Sequence, residues 1–343
     1  MKNILYIIIL SFLLLSCDLT VTTTDYQAGM DAYDAGDYTT AIKEFRAAAE
    51  QGDAQAQHNL AWMYEHGQGV AQDYKEAVKW YRLAAEQGFA DAQYNLGVMY
   101  YEGKGVAQDY KEAMKWYRLA AEQGYAQAQH NLGVMYAEGQ SVTQDYTKAV
   151  KWYRLAAEQG IAVAQNNLGV MYKKGQGVTQ DYKEALKWYR LATEQGFAEA
   201  QNNLGVMYAE GQGVTQDYTK AVKWYRLAAE QGIAVAQNNL GVMYYEGKGV
   251  TQDYKEVLKW CRLAAEQGFA VAQSNLGEMY ANGTGVTQDY IIAYMWFDIA
   301  ASNGYESAKK GIDIVESRMT PEQIAKAQEL DRECIKKNYK DCG

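Results

Sequence analysis

The chain has 343 residues, of which 42 are acidic and 33 are Lys or Arg, so its formal net charge is −9 at pH 7. This acidic balance argues against nucleic acids and anionic lipid head groups as partners of the folded surface, because proteins that bind them present basic patches. The single proline and the abundance of Ala, Leu, Glu, Gln and Lys are typical of helices, and no strand pattern competes. We therefore expect an all-α protein with protein or peptide partners.

Residues 1–16 resemble a bacterial lipoprotein signal peptide. Lys2 precedes an apolar run over residues 4–15, and the small residue Ser16 stands directly before Cys17. A run of this length is too short to span a bilayer. We expect cleavage before Cys17 and a lipid such as palmitate on that cysteine, which would anchor the chain without a spanning helix. An ordinary secretory peptide with an incidental cysteine is the alternative.

The residues after Cys17 suggest a location and a tether. Asp18 resembles the signal that keeps enterobacterial lipoproteins in the inner membrane, which implies the periplasmic side of that membrane, with the outer membrane as the alternative. Residues 18–24 lack helical periodicity, so we predict that residues 17–25 form the lipidated cysteine and a short tether. Residues 26–52 are predicted to form a first helix pair with the tight turn of a tetratricopeptide repeat.

A repeat array follows the first pair. Tryptophan returns every 36 residues, at Trp80, Trp116, Trp152, Trp188, Trp224, Trp260 and Trp296. A fixed period of this size marks a repeat architecture. In a representative unit, the first helix ends at Gly103, which can adopt the left-handed cap, and the second helix begins at Asp109, whose carboxylate can cap the first amides. Each unit is therefore predicted to be an antiparallel helix pair.

The units resemble the Sel1-like repeat, a branch of the tetratricopeptide superfamily, through Leu-Gly-x-x-Tyr, Gly-x-Gly-Val, Asp-Tyr, Ala-x-x-Trp-Tyr and Ala-Ala-x-x-Gly. We place seven such repeats at residues 53–304. The resemblance implies an α-solenoid of about eight helix pairs, wound as a right-handed superhelix, that acts as an adaptor in protein complexes. Three residues depart from the pattern: Ser141 replaces the second loop glycine, Cys261 replaces a tyrosine, and Trp62 replaces a valine.

Residues 305–343 are predicted to cap the array. Thr320 and Gln323 have the spacing of a capping box, and Pro321 occupies the first helical position. Cys334 and Cys342 could be bonded or free. In an oxidising envelope they would form a disulfide across the C-terminal turn; the alternative is two free thiols. The sequence leaves both open because it does not fix the distance between the two residues.

Residues that could carry catalysis are sparse. The three histidines have no partner cysteines or paired acidic residues, so neither a metal site nor a cofactor nor a catalytic triad is predicted. Ser307 and Lys310 match the Ser-x-x-Lys element of penicillin-interacting serine enzymes, but the Ser-Asp-Asn and Lys-Thr-Gly elements are absent. The chain is therefore predicted to be non-enzymatic, with a β-lactamase-like activity as a remote alternative.

Comparison of the repeats with one another identifies a variable face on the first helices. Counted from the alanine that begins each first helix, positions 2, 5, 9, 12 and 13 vary most, and these positions share one side of a helix. In the tetratricopeptide superfamily this side lines the concave groove, so the resemblance implies contacts with a partner; free drift of exposed positions is the alternative. The candidate partner-binding residues are His58, Trp62, His66, Asp91, Tyr94, Tyr101, Glu102, Gln127, His130, Lys173, Lys174, Asn238 and Tyr245.

Two of the repeats are almost identical. Residues 131–166 and 203–238 differ only in Ser141 against Gly213, so specific recognition is expected in residues 26–138 and around Lys173. Our leading interpretation is a monomeric, lipid-anchored, non-enzymatic scaffold that binds a protein or peptide in its groove. An immunity or inhibitor protein against a secreted toxin is one alternative, and a surface-exposed host-interaction factor is another.

Overall fold

The computed structural model describes residues 22–342, and within this range the chain forms eighteen helices and no strand. The helices are α1 (Thr22–Asp34), α2 (Tyr38–Glu50), α3 (Ala54–His66), α4 (Tyr74–Glu86), α5 (Ala90–Glu102), α6 (Tyr110–Glu122), α7 (Ala126–Glu138), α8 (Tyr146–Glu158), α9 (Ala162–Lys174), α10 (Tyr182–Glu194), α11 (Ala198–Glu210), α12 (Tyr218–Glu230), α13 (Ala234–Glu246), α14 (Tyr254–Ala265), α15 (Ala270–Asn282), α16 (Tyr290–Ser302), α17 (Ala308–Glu316) and α18 (Pro321–Lys336). The predicted all-α fold is confirmed for these residues. None of the helices in this part of the chain is long and apolar enough to cross a membrane.

The N-terminal end differs from the prediction. Helix α1 begins at Thr22, so residues 22–25, which we assigned to the tether, are helical. Once a helix exists, each added residue gains one hydrogen bond, so the first turn needs no apolar stripe of its own. The rest of the predicted tether, the signal peptide, Cys17 and Asp18 lie outside the described residues.

The chain divides into two compact units. The N-terminal unit extends to Met135 and includes residues 140–142, and the C-terminal unit contains residues 136–139 and the chain from Thr143 onward. In the N-terminal unit α1 packs on α2, α3 on α4 and α5 on α6, while α2 also contacts α3 and α4 contacts α5. The same order of packing runs from α8 to α16 in the C-terminal unit. Within each unit the predicted antiparallel pairs are therefore stacked in chain order.

The predicted capping residues set the limits of the helices. Asp109 Oδ1 accepts hydrogen bonds from the backbone amides of Lys111 at 2.9 Å and Glu112 at 3.1 Å, at the start of α6. Helix α5 ends at Gly103, whose φ of 72° lies in the left-handed region that glycine adopts without steric cost. Because these signals recur in each repeat, the helices α3 to α16 are all 12 or 13 residues long.

A glycine inside most of the first helices allows an aromatic ring of the second helix to pack against the backbone; α3 has Ala61 at this position. A Cβ atom added to Gly97 would lie 2.6 Å from the Tyr117 ring, and one added to Gly205 would lie 2.7 Å from the Tyr225 ring. Gly29 faces Phe45 in the same way, so the first pair shares the packing of the repeats. The aromatic ring thus fills the volume that the missing side chain leaves.

The cap at the C-terminus has the predicted start. The Thr320 side chain accepts from the Gln323 amide, and the Gln323 side chain accepts from the Thr320 amide, with Pro321 as the first helical residue. Helices α17 and α18 both pack on α16. Cys334 and Cys342 are joined by a disulfide. Trp296 of α16 is fully buried in the same core.

Candidate protein-binding surface

Polar side chains that recur in the repeats are used to connect neighbouring helix pairs. Gln57 donates Nε2 to the Ala49 carbonyl at 3.1 Å, and its Oε1 accepts from Gln87 at 2.7 Å. Arg46 donates to the Tyr64 hydroxyl. Since these buried groups are satisfied by one another, the surface open to another molecule is made mainly by the variable positions.

One pocket of the N-terminal unit lies between α1 and α3. It has a volume of about 230 Å³ and is lined by Met30, Tyr33, Phe45, His58, Asn59, Trp62 and Met63; we call it the Trp62 pocket. The half-buried Trp62 ring stacks on His66, with centroids 4.1 Å apart, and meets the Tyr33 ring edge-on at 6.0 Å. Three aromatic residues from two helices therefore present a fixed apolar surface beside a concavity.

His58 lies in the wall of this pocket and is held by two amides. Its Nδ1 is 3.1 Å from Asn59 Oδ1, and its Nε2 is 3.0 Å from Asn95 Nδ2 on the next first helix. This arrangement fits a neutral ring that donates from Nδ1 and accepts at Nε2. Burial lowers the pKa of His58, which favours the same neutral form at pH 7. His58 therefore connects α3 to α5 and is mostly shielded from solvent.

A second pocket lies one repeat further along the N-terminal unit. It has a volume of about 300 Å³ and is lined by Tyr94, Val98, Tyr101, Glu102, Tyr117, His130, Asn131 and Val134; we call it the Tyr101 pocket. Tyr94 stacks on Tyr125 with centroids 5.0 Å apart, and Tyr101 meets Tyr110 edge-on at 5.1 Å. Burial lowers the pKa of His130, so this pocket also contains a histidine whose neutral form is favoured.

Acidic groups lie beside the Tyr101 pocket. Glu102 forms an ion pair with Lys104 at 2.6 Å. Asp91 accepts a hydrogen bond from Tyr125, and burial together with the Asp91 charge raises the pKa of that tyrosine to about 12. The pocket is therefore aromatic inside and acidic at its margin, a combination that suits apolar and basic side chains.

The predicted residue Asn238 is not part of an exposed surface. Its side chain is only 6% exposed, and its Oδ1 accepts from Asn275 Nδ2 at 2.9 Å. Asn202 and Asn239 form the same contact at 3.1 Å. Position 5 is therefore a packing position in these repeats, where a small amide fits between neighbouring first helices.

The remaining predicted residues lie apart from the two pockets. Gln127 is exposed on α7, Lys173 is half-buried on α9, and Lys174 is exposed beside it. Tyr245 is 50% exposed on α13 and meets Tyr254 edge-on at 5.9 Å. The structure thus brings together His58, Trp62 and His66 at one pocket and Tyr94, Tyr101, Glu102 and His130 at the other.

Five lining residues of the Trp62 pocket were not predicted: Met30, Tyr33, Phe45, Asn59 and Met63. For Met30 and Tyr33 the sequence contains a signal. When Gly29 is placed in register with Gly97, Met30 and Tyr33 fall at the variable positions 9 and 12. The shorter turn of the first pair and its lack of a Trp obscure this register in the sequence.

The Ser-x-x-Lys match lies on the surface of the cap. Ser307 and Lys310 are both exposed at the start of α17, and the neighbouring Lys309 pairs with Glu306 at 2.7 Å. Among the residues that the structure describes, no group of His, Cys, Asp or Glu side chains is arranged to hold a metal ion.

Comparison with known proteins identifies the repeats. The Sel1 repeat model matches residues 54–89, 90–125, 126–161, 162–197, 198–233, 234–269 and 270–305, one residue later than we placed them. A Sel1 repeat protein from Oxalobacter formigenes is 35% identical over 70% of this chain and 96% of its own, with a TM-score of 0.64. A protective antigen of uropathogenic Escherichia coli that displays an SLR fold is 34% identical over 93% of this chain and 85% of its own, with a TM-score of 0.47. No curated protein matches the chain. Because the seven matches cover most of its length, the chain belongs to the Sel1 repeat family, whose repeats form scaffolds suited to protein–protein interaction.

Proposed function

We propose that this protein is a non-enzymatic scaffold that binds a protein or peptide segment over the Trp62 and Tyr101 pockets of its N-terminal unit. The observation that carries the proposal is the pair of aromatic pockets built from variable positions. The helix pairs do not require these aromatic residues, because other repeats fold with Val, Asn or Ala at the same positions.

The chemistry of the pockets suggests what the segment contains. Partly buried Trp and Tyr rings are the side chains that most often dominate protein interfaces, because each buries a large area with few torsions to fix. Asp91 beside the pocket and Glu102 at its margin favour a cationic side chain, which would compete with Lys104 for Glu102. We therefore expect a segment with apolar side chains for the pockets and Arg or Lys between them.

The test is selection of peptides from a random library on the purified chain of residues 18–343. We expect selected peptides to be enriched in apolar and basic residues. Their affinity, measured by fluorescence anisotropy, should fall at least about tenfold in the double variant Trp62→Ala/Tyr101→Ala, because truncation of interface aromatics commonly costs more than about 1.4 kcal/mol.

The matched control is Lys173→Ala/Lys174→Ala, which changes positions 12 and 13 of a first helix in the C-terminal unit. This control should bind within about twofold of the parent chain, a difference of less than 0.5 kcal/mol. Circular dichroism must show the same helix content in all three proteins. Equal loss of affinity in both variants, or no loss in either, would contradict the proposed surface.

We further propose that Cys17 carries a lipid that holds the scaffold on the periplasmic side of the inner membrane. The support is the order of signal peptide, small residue, cysteine and Asp18. Metabolic labelling with a palmitate analogue should mark the parent protein and not Cys17→Ala. Fractionation should place the parent protein in inner membranes and Asp18→Ser in outer membranes; protein released into the periplasm would exclude the anchor.

A further inference from the structure

One helix pair of the C-terminal unit keeps the repeat glycine but lacks the aromatic ring that faces it. In the flanking pairs Gly205 faces Tyr225 and Gly277 faces Phe297, each with a ring atom 2.7 Å from an added Cβ. In the pair α13–α14 the residue facing Gly241 is Cys261, whose Sγ lies 3.0 Å from that position. A thiol fills much less space than a phenol ring, so this pair should be underpacked.

The structure contains a pocket at this place, with a volume of about 130 Å³. Its inner wall is formed by Gly241, Val242, Val257, Cys261 and Met279. Val257 stands where the other pairs have alanine. A cavity of about 150 Å³ with apolar walls is large enough to bind benzene, so this one is close to the size of a single ring.

A polar group that meets the tyrosine hydroxyl in some other pairs is also present. In the N-terminal unit the hydroxyl is hydrogen-bonded to the asparagine at position 6 of the following first helix, as between Tyr81 and Asn95 and between Tyr117 and Asn131, whereas the Tyr189 hydroxyl has no partner in the described chain. The corresponding residue here is Asn275, which lines the pocket. Its Nδ2 donates to Asn238, so its Oδ1 is the atom that can accept from a hydroxyl.

The mouth of the pocket is open to solvent and negatively charged. Tyr245 and Thr284 form part of the lining, and Tyr245 is 50% exposed. Glu278 stands where five other repeats carry valine at position 9. Glu278 lies on α15 of the following pair and lines the pocket, so its carboxylate would attract a cationic substituent at the outer end of a bound molecule.

We propose that the pocket beside Cys261 binds a phenol ring, which enters from outside and occupies the position where other repeats place their own tyrosine. The ring would lie against Gly241 and Met279, and its hydroxyl would donate to Asn275. The occupant is either a free phenol with a basic substituent or a tyrosine side chain of a peptide. The site lies in the C-terminal unit, so it is independent of the proposed N-terminal surface.

The primary test uses p-cresol, the side-chain analogue of tyrosine, with the full chain labelled at its methionine methyl groups. We expect a saturable shift of the Met279 methyl signal, with a dissociation constant on the order of 1 mM for so small a ligand. Toluene, which has no hydroxyl, should bind about tenfold more weakly, as expected for loss of one hydrogen bond. No shift at Met279 would overturn the proposal.

Two variants provide the matched controls. Cys261→Tyr restores the residue of the other repeats, so it should fold, unfold at a higher temperature and lose the p-cresol response. Tyr225→Cys should create the same pocket against Gly205 one repeat earlier and give a second set of shifts. Undiminished binding by Cys261→Tyr would overturn the proposal even if the reciprocal variant were too unstable to measure.

The remaining measurements separate the two sources of the ring. Competition of the peptide Gly-Tyr-Gly with p-cresol would support a peptide tyrosine, whereas cresol binding without competition would support a free phenol. Tyramine should bind more tightly than 4-hydroxyphenylacetate because of Glu278. The reverse order would contradict the placement of the hydroxyl at Asn275 and of the substituent at the mouth.

Discussion

Asp331 on α18 is a buried carboxylate in an unfavourable setting. It is 9% exposed, and within the described chain its Oδ1 has no hydrogen-bond partner. Burial, with a smaller contribution from the negative charge of Asp298, raises the pKa of Asp331 to about 6. The folded state therefore binds this proton more tightly than the unfolded chain, whose aspartates have a pKa of about 3.9.

This pKa predicts how stability changes with pH. Between about pH 4 and pH 6 Asp331 is more protonated in the folded state than in the unfolded chain. The free energy of unfolding therefore decreases as pH rises through this range, and above it the ionised Asp331 continues to destabilise the fold. Asp331→Asn should therefore be more stable than the parent by about 2 kcal/mol at pH 7.5 and should lose that advantage near pH 4. Urea unfolding at several pH values measures the difference. The exposed Asp313→Asn is the control, and a pH-independent gain in Asp331→Asn would refute the assignment.

Variation among repeats could identify the residues around the two pockets, but it could not separate surface positions from packing positions. His58 and Asn238 occupy the same repeat position and both bond to the asparagine of the next first helix. They differ because a ring and an amide fill the gap between helices differently, a property of packing that residue type alone does not show. The ring-sized gap at Cys261 was visible in the sequence only as a substitution, and its size and opening required the structure.

At the level of helices and turns, repetition made prediction accurate. The same Asp N-cap, C-terminal Gly and Trp recur in every repeat, so each repeat supports the same assignment of helix boundaries. The end of the predicted tether, residues 22–25, was predicted wrongly because this is a single segment without such repetition. Helix α1 extends towards the N-terminus as far as Thr22. Backbone hydrogen bonds stabilise this extension, and no side-chain pattern in the sequence predicts it.

One turn departs from the repeat rule and provides a stability test. Ser141 has a φ of 58° at the place where Gly177 and Gly213 have a φ of 71°. A residue with a Cβ costs about 1 kcal/mol in this region relative to glycine. Ser141→Gly should therefore raise the free energy of unfolding by about that amount, measured as a shift of the urea midpoint.

The reciprocal substitution is the matched control, because residues 131–166 and 203–238 otherwise have the same sequence. A Cβ on Gly213 would lie 2.7 Å from the Tyr182 carbonyl oxygen, so Gly213→Ser should cost at least as much as Ser141→Gly gains. If Ser141→Gly were neutral, the serine would have to be stabilised by its own contacts, and the backbone argument would fail for this turn.

For the whole chain, the repeats predict that stability depends mainly on contacts between neighbouring pairs. Within the C-terminal unit each pair is connected to the next by the same bonds: Gln195 to Gln165 at 2.9 Å and Asn203 to Asn166 at 2.9 Å are examples. One repeat later Gln231 bonds to Gln201 and Asn239 to Asn202. Each pair thus presents to its neighbour a surface that another pair can replace.

Deletion of residues 167–202 tests this interchangeability. The deletion joins Asn166 to Asn203, which restores the native sequence Asn-Asn-Leu and keeps the helix in register. Asn166 would then meet Asn239, and Gln165 would meet Gln231, so the bonds between pairs re-form with the same residue types. The shortened chain should keep its helicity per residue and unfold cooperatively, with a melting temperature lower by a few degrees because one interface is lost.

The control removes half a period, residues 167–184, and brings a first helix into the place of a second. In the pairs that follow, the glycine of a first helix then no longer faces the aromatic ring of a second helix. The Asp cap, the Trp and the Gln–Gln hydrogen bonds between pairs are also displaced from their partners. This variant should lose cooperative unfolding in the C-terminal unit, measured by circular dichroism at 222 nm. If both deletions behaved alike, the stability of the chain would not depend on its 36-residue period.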